Sequence, residues 1–262
     1  MKRFALASSA AVILASAAVY AITYGSFDGN GHPSTGAMIY KSPSTGHYNI
    51  ICSGSLIAPD VFLTASHCTT PLQQAGIHDV WVTFDPTFDQ KSKLFHGAMH
   101  TNPLYNGAQS DPEDIAVIVL DKPISGITPV QLPPAGLFDQ MKKDGTLNGT
   151  FFTSVGYGVQ QAVNAPGGQT FTFLMQRWVS SGEFNALNDV WLRISQNGAT
   201  GDGGTCYGDS GGPQFFGAGA SETNMQVSIT ITGDTPCKAT NVDYRLDTPQ
   251  ARAFLAPFVT LP

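Results

Sequence analysis

The chain has 262 residues, a formal net charge of −6 and 42% hydrophobic residues. This apolar content suffices for a packed core and excludes a disordered chain. Because the sequence contains no block of basic residues, its charge argues against nucleic acid and against an anionic membrane surface as partners.

The first 21 residues have the pattern of a secretory signal peptide. Lys2 and Arg3 precede an apolar stretch, and small residues recur up to Ala21, as signal peptidase requires. We therefore expect residues 1–21 to be removed and residues 22–262 to be secreted into the extracellular space, with no membrane attachment afterwards. A retained anchor helix is the alternative interpretation of this stretch.

The rest of the chain alternates short β-type runs with segments rich in Gly, Pro, Asn and Asp. Regularly spaced short strands of this kind are typical of an all-β sandwich or barrel. Residues 121–149 are interpreted as a long connection between two halves. A helix is predicted over residues 248–258. The Thr248 hydroxyl can cap this helix, and Pro249 suits its first position. The clearest runs are Ile50–Ile57, Val80–Phe84, Ile115–Leu120, Phe151–Val155, Val190–Ile194 and Met225–Thr232.

A glycine-rich segment around Ser210 is the strongest chemical motif. Residues 208–213 read Gly-Asp-Ser-Gly-Gly-Pro. Glycines on both sides of a serine let the backbone turn sharply and present its N–H groups to a substrate. The alternative interpretation of this segment is a surface turn without chemistry. A serine hydroxyl is a poor nucleophile unless a base takes its proton, so a catalytic Ser210 needs a base elsewhere in the chain.

The candidate base is His67, in a segment over residues 63–68 that reads Leu-Thr-Ala-Ser-His-Cys. Such a base needs a carboxylate that fixes its tautomer. Asp114 directly precedes an apolar run and is the best candidate, with Asp111 and Glu113 as rivals. All six histidines precede Ser210 in the chain. This order excludes an α/β-hydrolase, whose histidine follows its serine.

The segments Thr-Ala-Ser-His-Cys, Asp-Ile-Ala-Val and Gly-Asp-Ser-Gly-Gly-Pro occur in this order and closely resemble the chymotrypsin family of serine peptidases. The resemblance extends from Ile22 to the predicted C-terminal helix. Within the family, the chain most resembles the small secreted trypsin-like proteins of microbes.

This resemblance implies two packed antiparallel six-stranded β-barrels, the first over residues 22–125 and the second over residues 140–246. His67 and Asp114 would come from the first barrel and Ser210 from the second, with the active site in the cleft between them. The implied reaction is endopeptidase cleavage of proteins or peptides through an acyl-enzyme. It needs no cofactor and no metal ion, and we expect a monomer.

Four cysteines in an exported chain favour two disulfide bonds, and the sequence alone allows three pairings. A zinc site is the competing interpretation, but the cysteine spacings fit no common one. The family resemblance implies the pairs Cys52 with Cys68 and Cys206 with Cys237.

The resemblance also implies where the substrate residue before the cleaved bond binds. Trypsin-type enzymes carry an aspartate six residues before the nucleophile, where this chain has glycine. A buried substrate Arg or Lys would lack a partner there, so we expect a preference for an uncharged residue. Asp202 lies close by and is the acid that a shifted loop would bring into the pocket. The implied pocket residues are Gly204, Thr205, Thr232, Gly233 and Val242.

Two further roles follow from the resemblance. The N–H groups of Gly208 and Ser210 would form the oxyanion hole, and a free Ile22 ammonium would pair with Asp209 to activate the enzyme. Because Ile22 follows Ala21 directly, export itself would create that terminus. The alternative to an enzyme is a catalytically silent binding protein with the peptidase fold.

Overall fold

The computed structural model describes residues 22–165 and 168–262, and most of its regular structure is antiparallel strand. The strands of the first half are β1 (Ser26–Phe27), β2 (Thr35–Lys41), β3 (Tyr48–Ala58), β4 (Val61–Thr64), β5 (Asp79–Thr83), β6 (Phe95–Thr101) and β7 (Ala116–Leu120). Those of the second half are β8 (Phe151–Gly156), β9 (Gln161–Ala165), β10 (Gly168–Thr172), β11 (Trp178–Leu187), β12 (Trp191–Ser195), β13 (Pro213–Phe216), β14 (Gln226–Gly233) and β15 (Thr240–Arg245). The α-helices in these ranges are α1 (Ser66–Gln74), α2 (Leu137–Asp144) and α3 (Pro249–Leu255).

The first barrel is a closed ring of six strands in the order β2-β3-β4-β7-β6-β5. Apolar side chains from every second position fill its interior, among them Met38, Phe62, Val82 and Val117, which are fully buried. The closed ring leaves no strand edge unpaired, so the barrel is a rigid support for the loops at its rim.

The second barrel closes because β8 pairs with both β13 and β11. The remaining neighbours complete the ring β8-β11-β12-β15-β14-β13. The predicted pair of antiparallel six-stranded barrels is therefore confirmed.

The N-terminal segment lies on the second barrel, whereas the sequence assigned residues 22–125 to the first. Strand β1 pairs with β11, and the closed first barrel spans residues 35–120. The physical reason is the Arg177 guanidinium, which is fully buried and needs acceptors. The guanidinium donates hydrogen bonds to the Asp28 carboxylate over 2.7 Å and to the Gly29 carbonyl over 2.5 Å.

Two helices differ from the sequence prediction. Helix α1 was not predicted and begins one residue before His67. Helix α3 has the expected Thr248 cap, whose hydroxyl accepts a hydrogen bond from the Ala251 N–H over 3.3 Å, but it ends at Leu255 rather than at residue 258. Pro257 explains this end, because proline has no N–H with which to continue the helical hydrogen bonds.

Candidate active site

His67 lies in the first turn of α1, immediately after β4. Two hydrogen bonds through the neighbouring Ser66 hold this turn. The Ser66 hydroxyl donates to the Ile115 carbonyl over 2.7 Å and accepts from the Asn102 N–H over 3.2 Å. The start of α1 is thereby tied to the residue that follows Asp114.

His67 and Asp114 make two hydrogen bonds with each other. The ring Nδ1 of His67 lies 2.8 Å from Oδ2 of Asp114, and the backbone N–H of His67 donates to Oδ1 over 2.9 Å. Since a carboxylate accepts hydrogen bonds, Nδ1 carries the proton and Nε2 is the basic nitrogen. The rival acids bond elsewhere: Glu113 accepts from the Asn102 amide, and Asp111 accepts from the Glu113 N–H.

Ser53 of the first barrel holds the loop that carries Ser210. The Ser53 N–H donates to the Ser210 carbonyl over 2.9 Å. Its hydroxyl donates to the Gly208 carbonyl over 3.0 Å and accepts from the Tyr157 N–H over 2.9 Å. Sequence reasoning missed Ser53, because a lone serine in a β-type run gives no signal of a role in a distant loop.

The disulfide bonds are the two pairs that the resemblance implied. Cys52 and Cys68 are joined with their Cα atoms 6.2 Å apart, and Cys206 and Cys237 with theirs 5.4 Å apart. A ring nitrogen of His67 lies within 4.8 Å of both sulfurs of the first bond. Sulfurs joined to each other are not thiolates, so this group does not form a metal site.

Close packing of the Ser210 loop against its neighbours requires glycine at two positions. A Cβ atom on Gly211, whose φ is +77°, would lie 2.2 Å from the Thr64 hydroxyl oxygen. A Cβ on Gly208, whose φ is +94°, would lie 3.0 Å from the Cα of Gly158. Glycine alone adopts such backbone readily and leaves this space free.

The N–H groups of this loop divide into two sets. Those of Asp209, Gly211 and Gly212 donate to backbone carbonyls over 3.0, 2.7 and 2.8 Å. Those of Gly208 and Ser210 donate to no acceptor within the part of the chain that the structure describes. The arrangement leaves these two donors available to an anionic oxygen.

A cavity of about 230 Å³ opens beside Ser210. Three of the predicted pocket residues, Thr205, Thr232 and Gly233, line it. The other lining residues are Cys206, Tyr207, Thr230, Ile231, Asp234, Thr235 and Cys237.

Gly204 and Val242 do not line this cavity, which corrects two residues of the predicted pocket. The buried side chain of Gln196 covers Gly204, since a Cβ on that glycine would lie 2.2 Å from Gln196 Oε1. Val242 pairs with Thr232 across a bulge at Ile231 and packs against the apolar core. Asp202 also lies outside the cavity, where its carboxylate accepts hydrogen bonds from hydroxyls of Ser195 and Thr200.

Asp234 is a lining residue that the sequence prediction missed. Burial alone would raise the pKa of Asp234, but donated hydrogen bonds hold it below its ordinary value. The donors are the N–H groups of Lys238, Ala239 and Thr240 and the amide of Gln196, at 2.8–3.0 Å. Both carboxylate oxygens of Asp234 are thus occupied by its own loop.

Asp209 is fully buried next to the nucleophile. Its carboxylate accepts hydrogen bonds from the N–H groups of Gly158 and Cys206, each over 2.8 Å, and burial raises its pKa to about 7. Ile22 is fully buried as well, and the next residue, Thr23, pairs with Gly204. In the unprocessed chain the Ile22 nitrogen is a peptide amide and carries no charge, and within the described residues no cation contacts Asp209.

Comparison with known proteins identifies the family of this chain. The family model described as Trypsin matches residues 25–253. The chain belongs to the trypsin family. It is accordingly a serine endopeptidase, and this family acts on proteins or peptides. Within the described residues, none of the helices has the length and apolar character to cross a membrane.

Curated relatives cover most of the chain at low identity. Kallikrein 1-related peptidase b27 of Mus musculus is 26% identical over 73% of this chain and 73% of its own length. Trypsin of Saccharopolyspora erythraea is 28% identical over 78% of this chain and 82% of its own length. Brachyurin of Leptuca pugilator is 28% identical over 79% of this chain and 89% of its own length.

Proposed function

We propose that this chain is a secreted, monomeric serine endopeptidase in which Ser210 is the nucleophile, His67 the general base and Asp114 the orienting carboxylate. The observation that carries the proposal is the double hydrogen bond between His67 and Asp114, which leaves Nε2 as the basic nitrogen. The sulfur of Cys68, the residue after His67, lies 3.9 Å from the Ser210 carbonyl oxygen. The base and the nucleophile therefore belong to one compact site.

The reaction uses these groups in a fixed order, which is the triad mechanism known for this family. His67 Nε2 takes the proton of the Ser210 hydroxyl as Oγ attacks the substrate carbonyl. Asp114 stabilises the imidazolium that results. The carbonyl oxygen becomes an oxyanion and accepts hydrogen bonds from the N–H groups of Gly208 and Ser210. The peptide C–N bond then breaks, and the amine leaves with the proton from His67.

The second half of the reaction repeats the first with water. His67 takes a proton from water as the water oxygen attacks the acyl carbon. The ester bond to Ser210 breaks, and His67 returns the proton to Oγ. Because every proton passes through His67, the order of events needs no group beyond the triad and the two N–H donors.

We propose that the cavity beside Ser210 takes an uncharged, apolar or small side chain. Of the described residues that line the cavity, Asp234 alone carries a charge, and its oxygens already accept four hydrogen bonds. A substrate cation would have to compete for them while losing its own hydration. An uncharged side chain loses no such hydration.

A silent binding protein with the same fold is the alternative to this enzyme. It would keep the fold and lack a reactive serine. A fluorophosphonate probe separates the two, because it reacts only with a serine whose proton is taken by a base. The Ser210 oxygen forms a bond to phosphorus, and fluoride leaves.

The experiment incubates the secreted protein with the probe and locates the label by peptide mass spectrometry. We expect label on Ser210, and none in a Ser210→Ala variant or in protein unfolded before exposure. A folded protein that takes no label at Ser210 would support the binding protein and overturn the proposed enzyme.

A further inference from the structure

Three exposed aromatic side chains lie together beside the candidate active site. Phe171, Phe173 and Tyr207 are 39%, 38% and 50% exposed, and we refer to them as the aromatic patch. The rings of Phe171 and Tyr207 meet edge to face with their centres 5.2 Å apart. Grouped apolar side chains on the surface of a soluble domain mark a binding site more often than isolated ones do.

The aromatic patch is continuous with the catalytic groups. Tyr207 lines the cavity beside Ser210, and its hydroxyl donates to the Thr235 carbonyl on the other wall over 3.2 Å. A Cβ atom on Gly208 would lie 3.7 Å from Cε2 of Phe173. The patch therefore borders the turn that holds the candidate oxyanion donors, and its member Tyr207 is also part of the cavity wall.

Hydrogen bonds to backbone and side-chain acceptors hold the segment that carries Phe171 and Phe173. The Gln160 N–H donates to the Thr172 carbonyl over 2.8 Å, and the Leu174 N–H donates to Gln160 Oε1 over 2.7 Å. The Phe88 N–H donates to the Met175 carbonyl over 2.8 Å, which ties the segment to the first barrel. A surface held in this way loses little conformational freedom when a ligand binds it.

We propose that the aromatic patch binds a large apolar side chain of the substrate, in the first two residues after the cleaved bond. This rests on the proposed function. The residue before the bond occupies the cavity, and the carbonyl lies at the Gly208 and Ser210 N–H groups. The following residues then leave the cavity past Gly208, which Phe173 borders. The patch has no charged member, so it favours apolar side chains over charged ones.

The test compares fluorogenic peptides that are identical up to the cleaved bond and differ only after it. One peptide carries Leu-Phe in the two positions after the bond, and the other carries Gly-Ser. We expect kcat/KM to be about tenfold higher for Leu-Phe. This ratio is expected to fall towards one in Phe173→Ser and, separately, in Phe171→Ser. Phe151→Ser is the matched control, because Phe151 is 41% exposed and lies on β8 outside the patch, and it is expected to keep the ratio.

A ratio near one in the wild type, or an unchanged ratio in both patch variants, would overturn the inference. Self-association that is lost in Phe173→Ser, with no change in the ratio, would assign the patch to a second copy of the chain and overturn it as well. Fluorophosphonate labelling of Ser210 separates a failure of the patch from a failure of the proposed enzyme. Labelled enzyme without the preference contradicts the patch alone, whereas unlabelled protein that cleaves neither peptide contradicts the proposed function.

Discussion

The N–H of Ser53 donates a hydrogen bond to the carbonyl of Ser210 over 2.9 Å, across the boundary between the two barrels. The Ser53 hydroxyl reaches the same loop at the Gly208 carbonyl and is also the acceptor for the Tyr157 N–H. Since Ser53 is fully buried, water cannot replace these bonds. A residue of the first barrel therefore fixes the turn that presents the candidate nucleophile.

Replacing Ser53 by alanine keeps the bond to Ser210 and removes the hydroxyl. The Tyr157 N–H and the Gly208 carbonyl then lose a partner, which costs about 1–3 kcal/mol of unfolding free energy. We expect kcat to fall roughly tenfold with little change in KM, because the Gly208 N–H loses its alignment with the transition state. Urea unfolding and steady-state kinetics measure the two effects.

Ser55→Ala is the matched control for that variant. Ser55 lies two residues further along β3, is fully buried, and its hydroxyl donates to Gln226. Its replacement is expected to lower stability and to leave kcat unchanged. Wild-type kcat in Ser53→Ala would contradict a role for Ser53 in aligning the loop.

Specificity before the cleaved bond follows from the lining of the cavity. A peptide library is expected to show faster cleavage after apolar or small residues than after charged ones. The Asp234→Asn variant is expected to rank the same residues in the same order of cleavage rate. The reason is that the Asp234 carboxylate already accepts four hydrogen bonds, three from N–H groups of its own loop and one from the Gln196 amide. Dominant cleavage after Arg or Lys that disappears in Asp234→Asn would show instead that this carboxylate binds the substrate.

The site could be predicted from sequence where contiguous motifs carry it. Ser210 and its flanking glycines occupy one segment, and Asp114 lies two residues before β7, so local patterns were sufficient to propose both residues. The pocket depends on register between β14 and β15, and the bulge at Ile231 shifts that register. Counting positions along the chain cannot detect such a shift, and Val242 was misplaced for this reason.

Helix α1 and residue Gln196 illustrate two other limits. The helix is short, has no side-chain cap and contains Pro71, so neither its start nor its length leaves a sequence signal. Gln196 covers Gly204 because the loop after β12 folds back on itself, and an irregular loop of this kind has no periodic sequence pattern. Closure of the two barrels was predictable from the family resemblance, since regular short strands with turn residues between them are equally typical of a sandwich.

Processing before Ile22 is predicted to change how stability depends on pH. In a chain extended by Ala21, burial raises the pKa of Asp209 to about 7, so the folded state binds more protons than the unfolded state from about pH 4 to pH 7. The free energy of unfolding therefore falls by roughly 3–4 kcal/mol as pH rises through this window. A free Ile22 ammonium beside Asp209 would lower that pKa and remove the slope.

The comparison uses chains that begin at Ile22 or at Ala21, both with Ser210→Ala so that neither digests itself. Urea unfolding from pH 5 to pH 7 is expected to show the slope only in the extended chain, and Asp209→Asn is expected to abolish it. Identical pH profiles for the two chains would reject the ion pair. N-terminal sequencing of active secreted enzyme is expected to begin at Ile22, and full activity with any other terminus would reject activation by export.

A second pH dependence is expected from His32, which joins the N-terminal segment to the second barrel. Burial alone would lower the pKa of His32, but hydrogen bonds to Asp28 and Glu222 raise it to about 9. Its stabilising effect is therefore complete below about pH 6.5 and is lost as pH rises through 9. We expect the unfolding free energy to fall by about 3 kcal/mol over this range.

His32→Gln is expected to flatten this alkaline slope, while His47→Gln is expected to retain it, because His47 is exposed on the surface. Thermal unfolding at intervals from pH 6 to pH 10 gives the comparison. A slope of equal size in the wild type and in His32→Gln would show that another group titrates.

The central claim is that Ser210 performs the chemistry, and turnover by a Ser210→Ala variant tests it most directly. The variant must be purified free of wild-type enzyme and matched to it in circular dichroism and melting temperature. We predict that kcat for a cleaved peptide falls by about 10⁴-fold or more, because the hydroxyl contributes chemistry rather than packing. Activity within tenfold of the wild type would contradict the assignment of the nucleophile and the mechanism built on it.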